Sequence, residues 1–477
     1  MIEYCNRWLA GFAAAYLALL PTNHGTFLKS VAFGGTLYCA LALLVLLAYQ
    51  RERRPCKPLG GVAIPFPGWP LSLAGSAWIV WSLASYVWSV HPLYTAGELR
   101  REVVESALVF AAFFIAARDG KTLRLLAGAA LVSFTVLAVL ALALGATRTG
   151  WNAGIWHHGV GPWSTYIVLV APLLFALIAP APIGAAQRTR ALVVGGLLMA
   201  LMLATARMTD NRMVWLALAA TFGTGALIAA LRWPKTFTQS SWRWLAPVAA
   251  LLIVLGLAFA DTVKEKAQTH FPPQTSVEDT IKRDPRLHLW NLTVAKIRER
   301  TWLGYGFGRG ILGEELRGEL RDPTLTHAHN VFVSQWLQTG AIGFGLFVAL
   351  LGTLLATFVR YVRGQNDTLA FVGLTGLSLL AGFVVKNLTD DLLFRSNAKE
   401  FWVLSAMLVG FGARLARQER EVNESASAKR HCARSAVDAG TSCDSATNER
   451  REDANAGAGC ARAAVLSPRV PVGLQSE

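Results

Sequence analysis

Two arginines and a histidine motif are the residues of this chain whose types and spacing suggest chemistry. Arg207 and Arg212 bracket the short turn Arg-Met-Thr-Asp-Asn-Arg between two apolar segments. Guanidinium groups pair with phosphate oxygens, so this turn predicts an anion site at a membrane surface. The motif Thr326–Asn330 contains His327 and His329, and histidine can take or give a proton near neutral pH. The two features together predict an acid–base group beside an anion site.

Each feature also has a less specific interpretation. Arginines near helix ends often extend their side chains to lipid headgroups. A lone histidine more often caps a helix or fills an interior position than it catalyses a reaction. If residues 327–329 are extended, His327 and His329 point to opposite sides of the backbone, and only one of them can face the site.

Further polar residues are candidates for binding or support. Asp284 and Pro285 are typical of a helix start, and the stretch to Arg300 predicts an amphipathic helix that carries Arg286. A second short helix is expected over 313–320. The remaining candidates for acceptor binding or support are Asn330, His327, Lys386, Asp390 and Asp391.

The composition sets the class of protein. The chain has 477 residues, of which 53% are hydrophobic and 16% charged. Its mean hydropathy is +0.40, and its 45 Lys and Arg against 30 Asp and Glu give a net charge of +15. Soluble chains are about a quarter charged. These figures exclude a soluble enzyme, a disordered chain and a secreted disulfide scaffold, and they predict an all-α polytopic membrane protein.

Apolar blocks of spanning length recur along the chain. A spanning helix needs about 20 largely apolar residues. Lys and Arg concentrate in alternate connections and in the tail, which places both termini in the cytoplasm by the positive-inside rule. Arg207 and Arg212 then lie on the outer side, where basic residues in short loops are unusual. The twelve predicted spans are 6–22, 30–50, 70–90, 102–117, 122–146, 161–180, 190–207, 212–231, 244–260, 330–358, 368–386 and 398–415.

Four regions follow from this topology. Residues 1–260 are expected to form transmembrane helices 1–9, and residues 261–329 a large periplasmic loop with amphipathic helices. Residues 330–417 are expected to form transmembrane helices 10–12. Residues 418–477 are polar and lack apolar periodicity, so they are predicted to be a disordered cytoplasmic tail.

The order and spacing of the motifs resemble those of the O-antigen ligase and polymerase family. His329-Asn330, followed after nine residues by Gly340, has the spacing of that family's histidine signature. The run Arg-Met-Val-Trp-Leu at 212–216 resembles its Arg-x-x-x-Leu signature. The similarity extends to the twelve-helix layout, the large outer loop before the histidines, and the run from 286 to the glycine turn at 304–308.

The resemblance covers roughly residues 1–415 and implies a fold like that of the C-type glycosyltransferases. It implies an O-antigen ligase that transfers preassembled polysaccharide from undecaprenyl diphosphate to a sugar hydroxyl of lipid A–core, at the periplasmic face of the bacterial inner membrane. His329 would then deprotonate the acceptor, and Arg207, Arg212 and Arg286 would bind the diphosphate. The implied partners are donor, acceptor and membrane lipids, with no nucleic acid. Neither a cofactor nor a metal is expected, because the arginines already supply positive charge.

Other activities remain open. One is an O-antigen polymerase or a protein O-oligosaccharyltransferase of the same family; polymerases usually carry two large outer loops, whereas this chain has one. A lipid or solute transporter is the alternative from another class. Ion-coupled carriers place ionisable residues at mid-membrane. The predicted helices are nearly free of such residues, with Glu105 as a marginal exception, and this favours an enzyme.

Overall fold

A computed structural model of the chain describes residues 1–53, 66–143, 159–175, 185–234, 241–269, 285–320 and 326–438. The predicted helix-capping residue Asp284 lies outside these ranges. Within them the secondary structure is helical and contains no strand. The helical fold class predicted from composition is therefore confirmed for the described part of the chain.

The helices follow one another with short connections. The first six are α1 (Ile2–Leu19), α2 (Thr26–Arg53), α3 (Trp69–Ala84), α4 (Pro92–Glu98), α5 (Glu105–Ala116) and α6 (Gly120–Ala143), with a π-helix (Leu99–Val104) between α4 and α5. The next four are α7 (Val160–Val170), α8 (Ala185–Arg207), α9 (Arg212–Arg232) and α10 (Ser241–Thr269), and a 3₁₀ turn (Ala171–Leu174) extends α7. The last five are α11 (Pro285–Glu299), α12 (Gly313–Leu320), α13 (Val331–Val362), α14 (Asp367–Asn387) and α15 (Arg395–Asp438).

A helix occupies each of the twelve segments predicted to span the membrane. Seven described helices are long and apolar enough to cross a bilayer by length and composition. They are α2, α6, α8, α9, α10, α13 and α14. The chain is thus a polytopic membrane protein, while the count of twelve spans and the orientation of the termini stay predictions.

The helices before the predicted outer loop and before the predicted tail are longer than the sequence indicated. α10 continues to Thr269, so the first residues of the region 261–329 are helical. Helices occur at the positions predicted for the amphipathic helix and the short helix after it, as α11 and α12. Residues 1–417 form one compact unit and the residues from 418 onward a second. α15 continues to Asp438, so the start of the segment predicted to be disordered is helical.

The helices that carry the candidate site pack in one contiguous group. α9 lies against α14 and α10, α14 lies against α13, and α13 in turn contacts α3 and α11. This packing buries large side chains such as Phe347, Phe358 and Phe383, each at most 2% exposed. Because lipid tails are as apolar as these residues, close packing rather than water exclusion holds such helices together.

A kink in α13 explains the spacing of the histidine motif. Asn330 accepts hydrogen bonds from the backbone N–H groups of Phe332 and Val333 and so caps the helix. Gly340 breaks the helix with φ +69°. A Cβ there would lie 2.0 Å from the carbonyl oxygen of Trp302, and a Cβ at Gly304 would lie 2.6 Å from the backbone of Gln338. The capped segment therefore ends where a neighbouring loop docks.

Backbone hydrogen bonds hold that loop in the kink. The N–H of Tyr305 donates to Leu337 O at 3.0 Å, and the N–H of Gly306 donates to Gln338 O at 2.9 Å. The N–H of Gly308 donates to the side-chain Oε1 of Gln338 at 2.9 Å. The glycine turn at 304–308 thus satisfies carbonyls that the broken helix leaves without helical partners, and it fixes the residue after it, Arg309.

We expect Gly340→Ala to destabilise the protein. An alanine would have to hold a positive φ, which costs about 1–3 kcal/mol, and its Cβ would displace the Trp302 carbonyl. The measurement is the melting temperature of the purified protein in detergent. Gly345→Ala is the matched control, because that glycine lies in the same helix with no atom near an added Cβ. Equal melting temperatures for both variants would contradict the role given to the kink.

Candidate functional site

The two histidines lie side by side just before α13. His329 has a left-handed backbone with φ +48°, and its ring centroid lies 3.9 Å from that of His327. The expectation that extended backbone would turn the two side chains apart is therefore wrong, because the positive φ brings them to the same side. Asn330 follows directly and caps α13, so the helix start fixes the motif.

His327 is the buried member of the pair. Its side chain is enclosed, and its Nδ1 lies 3.4 Å from Nη2 of Arg309 and 3.3 Å from Oγ1 of Thr326. Burial lowers the pKa of His327 far below its usual value, and the positive charge of Arg309 lowers it further. At neutral pH this ring is uncharged and accepts a hydrogen bond from the guanidinium. It therefore supports the neighbouring His329 without adding charge.

Arg309 connects the histidine motif to the loop after α14, and the sequence analysis did not assign it a role. Its Nη1 donates to the backbone oxygen of Asp391 at 2.8 Å, and its guanidinium lies 4.7 Å from the ring centre of Phe394. The signal in the sequence is its position directly after the glycine turn, which packs into the kink of α13. A residue held by that turn has little freedom to move.

Arg212 and Arg286 line one pocket. Its volume is about 200 Å³, and both arginines are partly exposed. Arg212 begins α9, where Asn211 caps the helix by accepting from the N–H of Met213. Arg286 lies in the first turn of α11. The other residues that line the pocket are Met213, Phe259, Leu287, Trp290 and Thr389. Two of the three predicted diphosphate-binding arginines are thus brought together.

Two hydrogen bonds join this pocket to the histidine motif. Nε1 of Trp290 donates to the backbone oxygen of Ala328, between the two histidines, at 2.8 Å. Nδ2 of Asn330 donates to the backbone oxygen of Leu388 at 2.8 Å, next to the pocket residue Thr389. Trp290 of the pocket wall therefore holds the backbone just before His329. Asn330, just after His329, is bonded to the residue that precedes the wall residue Thr389.

Asp390 lies behind the pocket and is surrounded by donors. Lys386, fully buried, makes a short ion pair with its Oδ2, and Nδ2 of Asn211 donates to the same oxygen at 3.3 Å. Arg286 lies 3.9 Å from its Oδ1. Burial alone would raise the pKa of Asp390, but Lys386, Arg286 and Asn211 together hold it below its usual range. The carboxylate therefore stays charged and orients Arg286.

Asp391 has a different environment. Its side chain is buried, and its Oδ2 has no hydrogen-bond partner among the described residues. Burial raises the pKa of Asp391, although the nearby Arg309 opposes the shift. The two adjacent aspartates thus have opposite pKa shifts, and only Asp390 contacts a candidate diphosphate-binding arginine directly. Within the described residues, no group of three or more His, Cys, Asp or Glu could hold a metal ion.

Arg207 lies apart from the pocket wall formed by Arg212 and Arg286. Its guanidinium contacts three carboxylates: Asp210 at 3.2 Å, Asp261 at 3.2 Å and Glu265 at 2.9 Å. The last two are on α10, so Arg207 links the end of α8 to that helix. The guanidinium of Arg207 therefore neutralises acids at the contact between α8 and α10 and does not line the pocket.

Ionisable side chains are more frequent in the helices than the sequence analysis assumed. Lys386 and Glu400 are buried in α14 and α15, and Glu102 is buried in the π-helix. Glu105, which we had taken as the exception, pairs with Lys399 at 2.6 Å. The scarcity of such residues is therefore not an argument against a transporter, and the choice between classes depends on the site itself and on similarity to known proteins.

The comparisons with known proteins match one segment of the chain. A model of the O-antigen ligase family matches residues 197–348. The match includes both arginines of the turn before α9, Arg286 on α11, the two histidines and the kink in α13. Lys386, Asp390 and Asp391 lie beyond its end. A comparison with curated proteins finds no match to the chain.

This match confirms the resemblance inferred from the motifs. The segment contains the pocket arginines and the histidine pair in the order that the resemblance implied. Proteins of this family are glycosyltransferase-type enzymes, either ligases or polymerases, of O-antigen and lipopolysaccharide biosynthesis. Through residues 197–348, this multi-pass membrane chain is similar to the O-antigen ligase family.

Proposed function

We propose that this protein transfers a preassembled polysaccharide from undecaprenyl diphosphate to a sugar hydroxyl of lipid A–core. The reaction takes place at the periplasmic face of the bacterial inner membrane and needs neither ATP nor a metal ion. The observation that carries the proposal is the pocket with Arg212 and Arg286 on its wall, joined by Trp290 to the backbone of the histidine motif.

The arginines act on the donor. As the bond between the anomeric carbon and the phosphate oxygen breaks, the electron pair leaves with the diphosphate and its negative charge grows. Two guanidinium groups oriented in advance stabilise that charge more in the transition state than in the bound donor. Asp390 and Lys386 hold Arg286 in place from behind the pocket. Arg207 supports this face by joining α8 to α10.

His329 acts on the acceptor. The acceptor hydroxyl oxygen forms the new bond to the anomeric carbon, and its proton passes to the imidazole. His329 is partly exposed, whereas His327 is enclosed, so His329 is the ring that an acceptor can reach. Its positive φ fixes the direction of the side chain. A general base in this position contributes about 10²–10⁴-fold to the rate.

Reconstitution tests this proposal. Purified full-length protein in lipid vesicles is supplied with undecaprenyl-diphosphate-linked polysaccharide and lipid A–core, in the presence of a chelator and without ATP. We expect the product to be lipid A–core carrying the complete polysaccharide. The control omits the acceptor lipid and should give no transfer product.

The same assay separates the alternatives. Longer polysaccharide that remains on undecaprenyl diphosphate would show a polymerase and contradict the ligase. Polysaccharide attached to added protein would show an oligosaccharyltransferase. Movement of the unchanged donor across the vesicle membrane, with no new glycosidic bond, would show a transporter. Transfer that stops with the chelator would contradict the proposed independence from metal.

A further inference from the structure

An apolar cavity lies within the helical bundle, away from the arginine pocket. Its volume is about 480 Å³, and its walls come from α2, α3, the π-helix, α5, α13 and α15. Small residues create the space: Ser72, Gly75 and Ser76 on α3 face Ala107 and Ala111 on α5. Side chains of this size leave the two helices separated by a gap that larger residues would fill.

The cavity opens toward the surface that faces lipid. Ser76 and Ala111 line it and are exposed, and Phe66 at one end is 59% exposed. Apolar residues on the same helices that do not line the cavity, such as Leu73 and Leu108, are also exposed. An exposed apolar helix face on a polytopic protein contacts hydrocarbon. A lipid chain can therefore enter the cavity sideways from the bilayer.

Two hydrogen-bond donors in the cavity wall have no partner. Trp78 is 5% exposed and Ser106 is 3% exposed, and both line the cavity. Neither Nε1 of Trp78 nor Oγ of Ser106 has a hydrogen-bond partner among the described residues. Leaving a buried donor without an acceptor is unfavourable, especially in hydrocarbon. An occupant that carries a hydrogen-bond acceptor would remove this cost.

We propose that this cavity binds one acyl chain of the acceptor lipid. The inference rests on the proposed function, in which the two substrates are both lipids. The donor's polyprenyl chain is hydrocarbon and offers no acceptor to Trp78 or Ser106. An acyl chain is joined to its headgroup by an ester or amide, whose carbonyl oxygen is a hydrogen-bond acceptor for donors of this kind. The unpaired donors thus select the acylated substrate.

The charge at the outer end of the cavity also fits an anionic acylated lipid. Arg100 is exposed in the π-helix, one turn before the lining residues Val103 and Ser106, and its neighbour Arg101 is paired with Glu98 at 3.4 Å. Guanidinium groups bind the phosphates of a lipid headgroup. Single π-helical turns are often found at functional sites, and this one ends just before the lining residue Ser106.

A ring contact connects the cavity wall to the loop that carries Arg309. Trp78 packs on Phe307, with ring centroids 6.3 Å apart. Phe307 belongs to the glycine turn, and Arg309 two residues later contacts His327. An acyl chain anchored at Trp78 would therefore place its headgroup on the side of the bundle where the histidines lie. The arginine pocket remains free for the donor's diphosphate.

Photocrosslinking tests the proposal without the transfer reaction. The probe is lipid A with a photoreactive group in one acyl chain, added to full-length protein in lipid nanodiscs without donor. We expect a crosslink to α3 or α5 in the unmodified protein. Ala111→Trp should lower the yield by about tenfold or more, because excluding about two methylene groups already weakens binding by that factor.

A matched control and a second variant guard against a folding defect. Leu108→Trp adds the same side chain to α5 at an exposed position that does not line the cavity, and it should leave the yield unchanged. Ser106→Ala removes one donor with minimal change in shape and should weaken binding about 2- to 10-fold. Equal yields for Ala111→Trp and Leu108→Trp, or full yield with Ser106→Ala, would overturn the proposal.

Competition distinguishes the possible occupants. Unlabelled lipid A should displace the probe, whereas undecaprenyl phosphate and phosphatidylethanolamine should displace it at least about tenfold less well. Stronger displacement by undecaprenyl phosphate would assign the cavity to the donor, and equal displacement by phosphatidylethanolamine would make it a general lipid site; either result overturns the proposal. The proposed function fails separately, if the unmodified protein binds the probe but transfers no polysaccharide in reconstitution.

Discussion

His329→Ala should slow transfer of polysaccharide to lipid A–core by about 10²–10⁴-fold. The substitution removes the partly exposed ring that is placed to take the acceptor proton, while Asn330 still caps α13. The backbone at His329 already has a positive φ, so alanine adds some strain there, and protein abundance must be followed alongside activity. The measurement is initial rate in the reconstituted assay, at equal amounts of folded protein.

Two comparisons isolate the role of that ring. His288→Ala removes an exposed histidine of α11 that does not line the pocket, and it should leave the rate nearly unchanged. His329→Asn introduces a side chain that tolerates a positive φ but cannot act as a base. Its transfer rate should be as low as that of the alanine variant. A normal rate in either His329 variant would remove the base from the mechanism.

The sequence predicted the helical fold well because membrane-spanning helices are recognisable as long runs of apolar residues. Helices occur at all twelve predicted positions, and α11 and α12 begin where Pro285 and Gly313 indicated. The extent of α10 and α15 was not predictable in the same way. Charged residues such as Asp261 and Glu265 suggested a loop, yet their pairing with Arg207 supports continued helix.

The sequence supplies the residue types of the candidate site but not their arrangement. The motifs predicted that Arg212, Arg286 and His329 belong to one site. They could not show that the guanidinium of Arg207 pairs with three carboxylates and does not line the pocket. The proximity of His327 and His329 depends on a single positive φ, which no periodicity reveals. Nothing in the sequence distinguishes Arg309, because a long outer loop is free to carry basic residues. Only the packing of the glycine turn into the kink of α13 gives that arginine a fixed place.

Arg212→Lys should lower the transfer rate about 100- to 1000-fold, as the loss of one donor that stabilises transition-state charge does in other enzymes. Lysine keeps the positive charge but loses the planar pair of donors that matches two phosphate oxygens. The loss should appear mainly in kcat, because the negative charge on the leaving diphosphate grows as the bond breaks. Rates measured over a range of donor concentrations separate kcat from KM.

Arg207→Lys is the comparison that tests the arrangement and not merely the charge. Both arginines lie at the ends of the same short turn, and the two substitutions are chemically identical. Lysine at 207 can still pair with Asp261 or Glu265, so we expect at most a small change in rate. If Arg207→Lys were as slow as Arg212→Lys, the diphosphate would have to contact both residues, and the pocket between α9 and α11 would not be the whole anion site. If neither variant were impaired, paired guanidinium contacts would not contribute to the reaction.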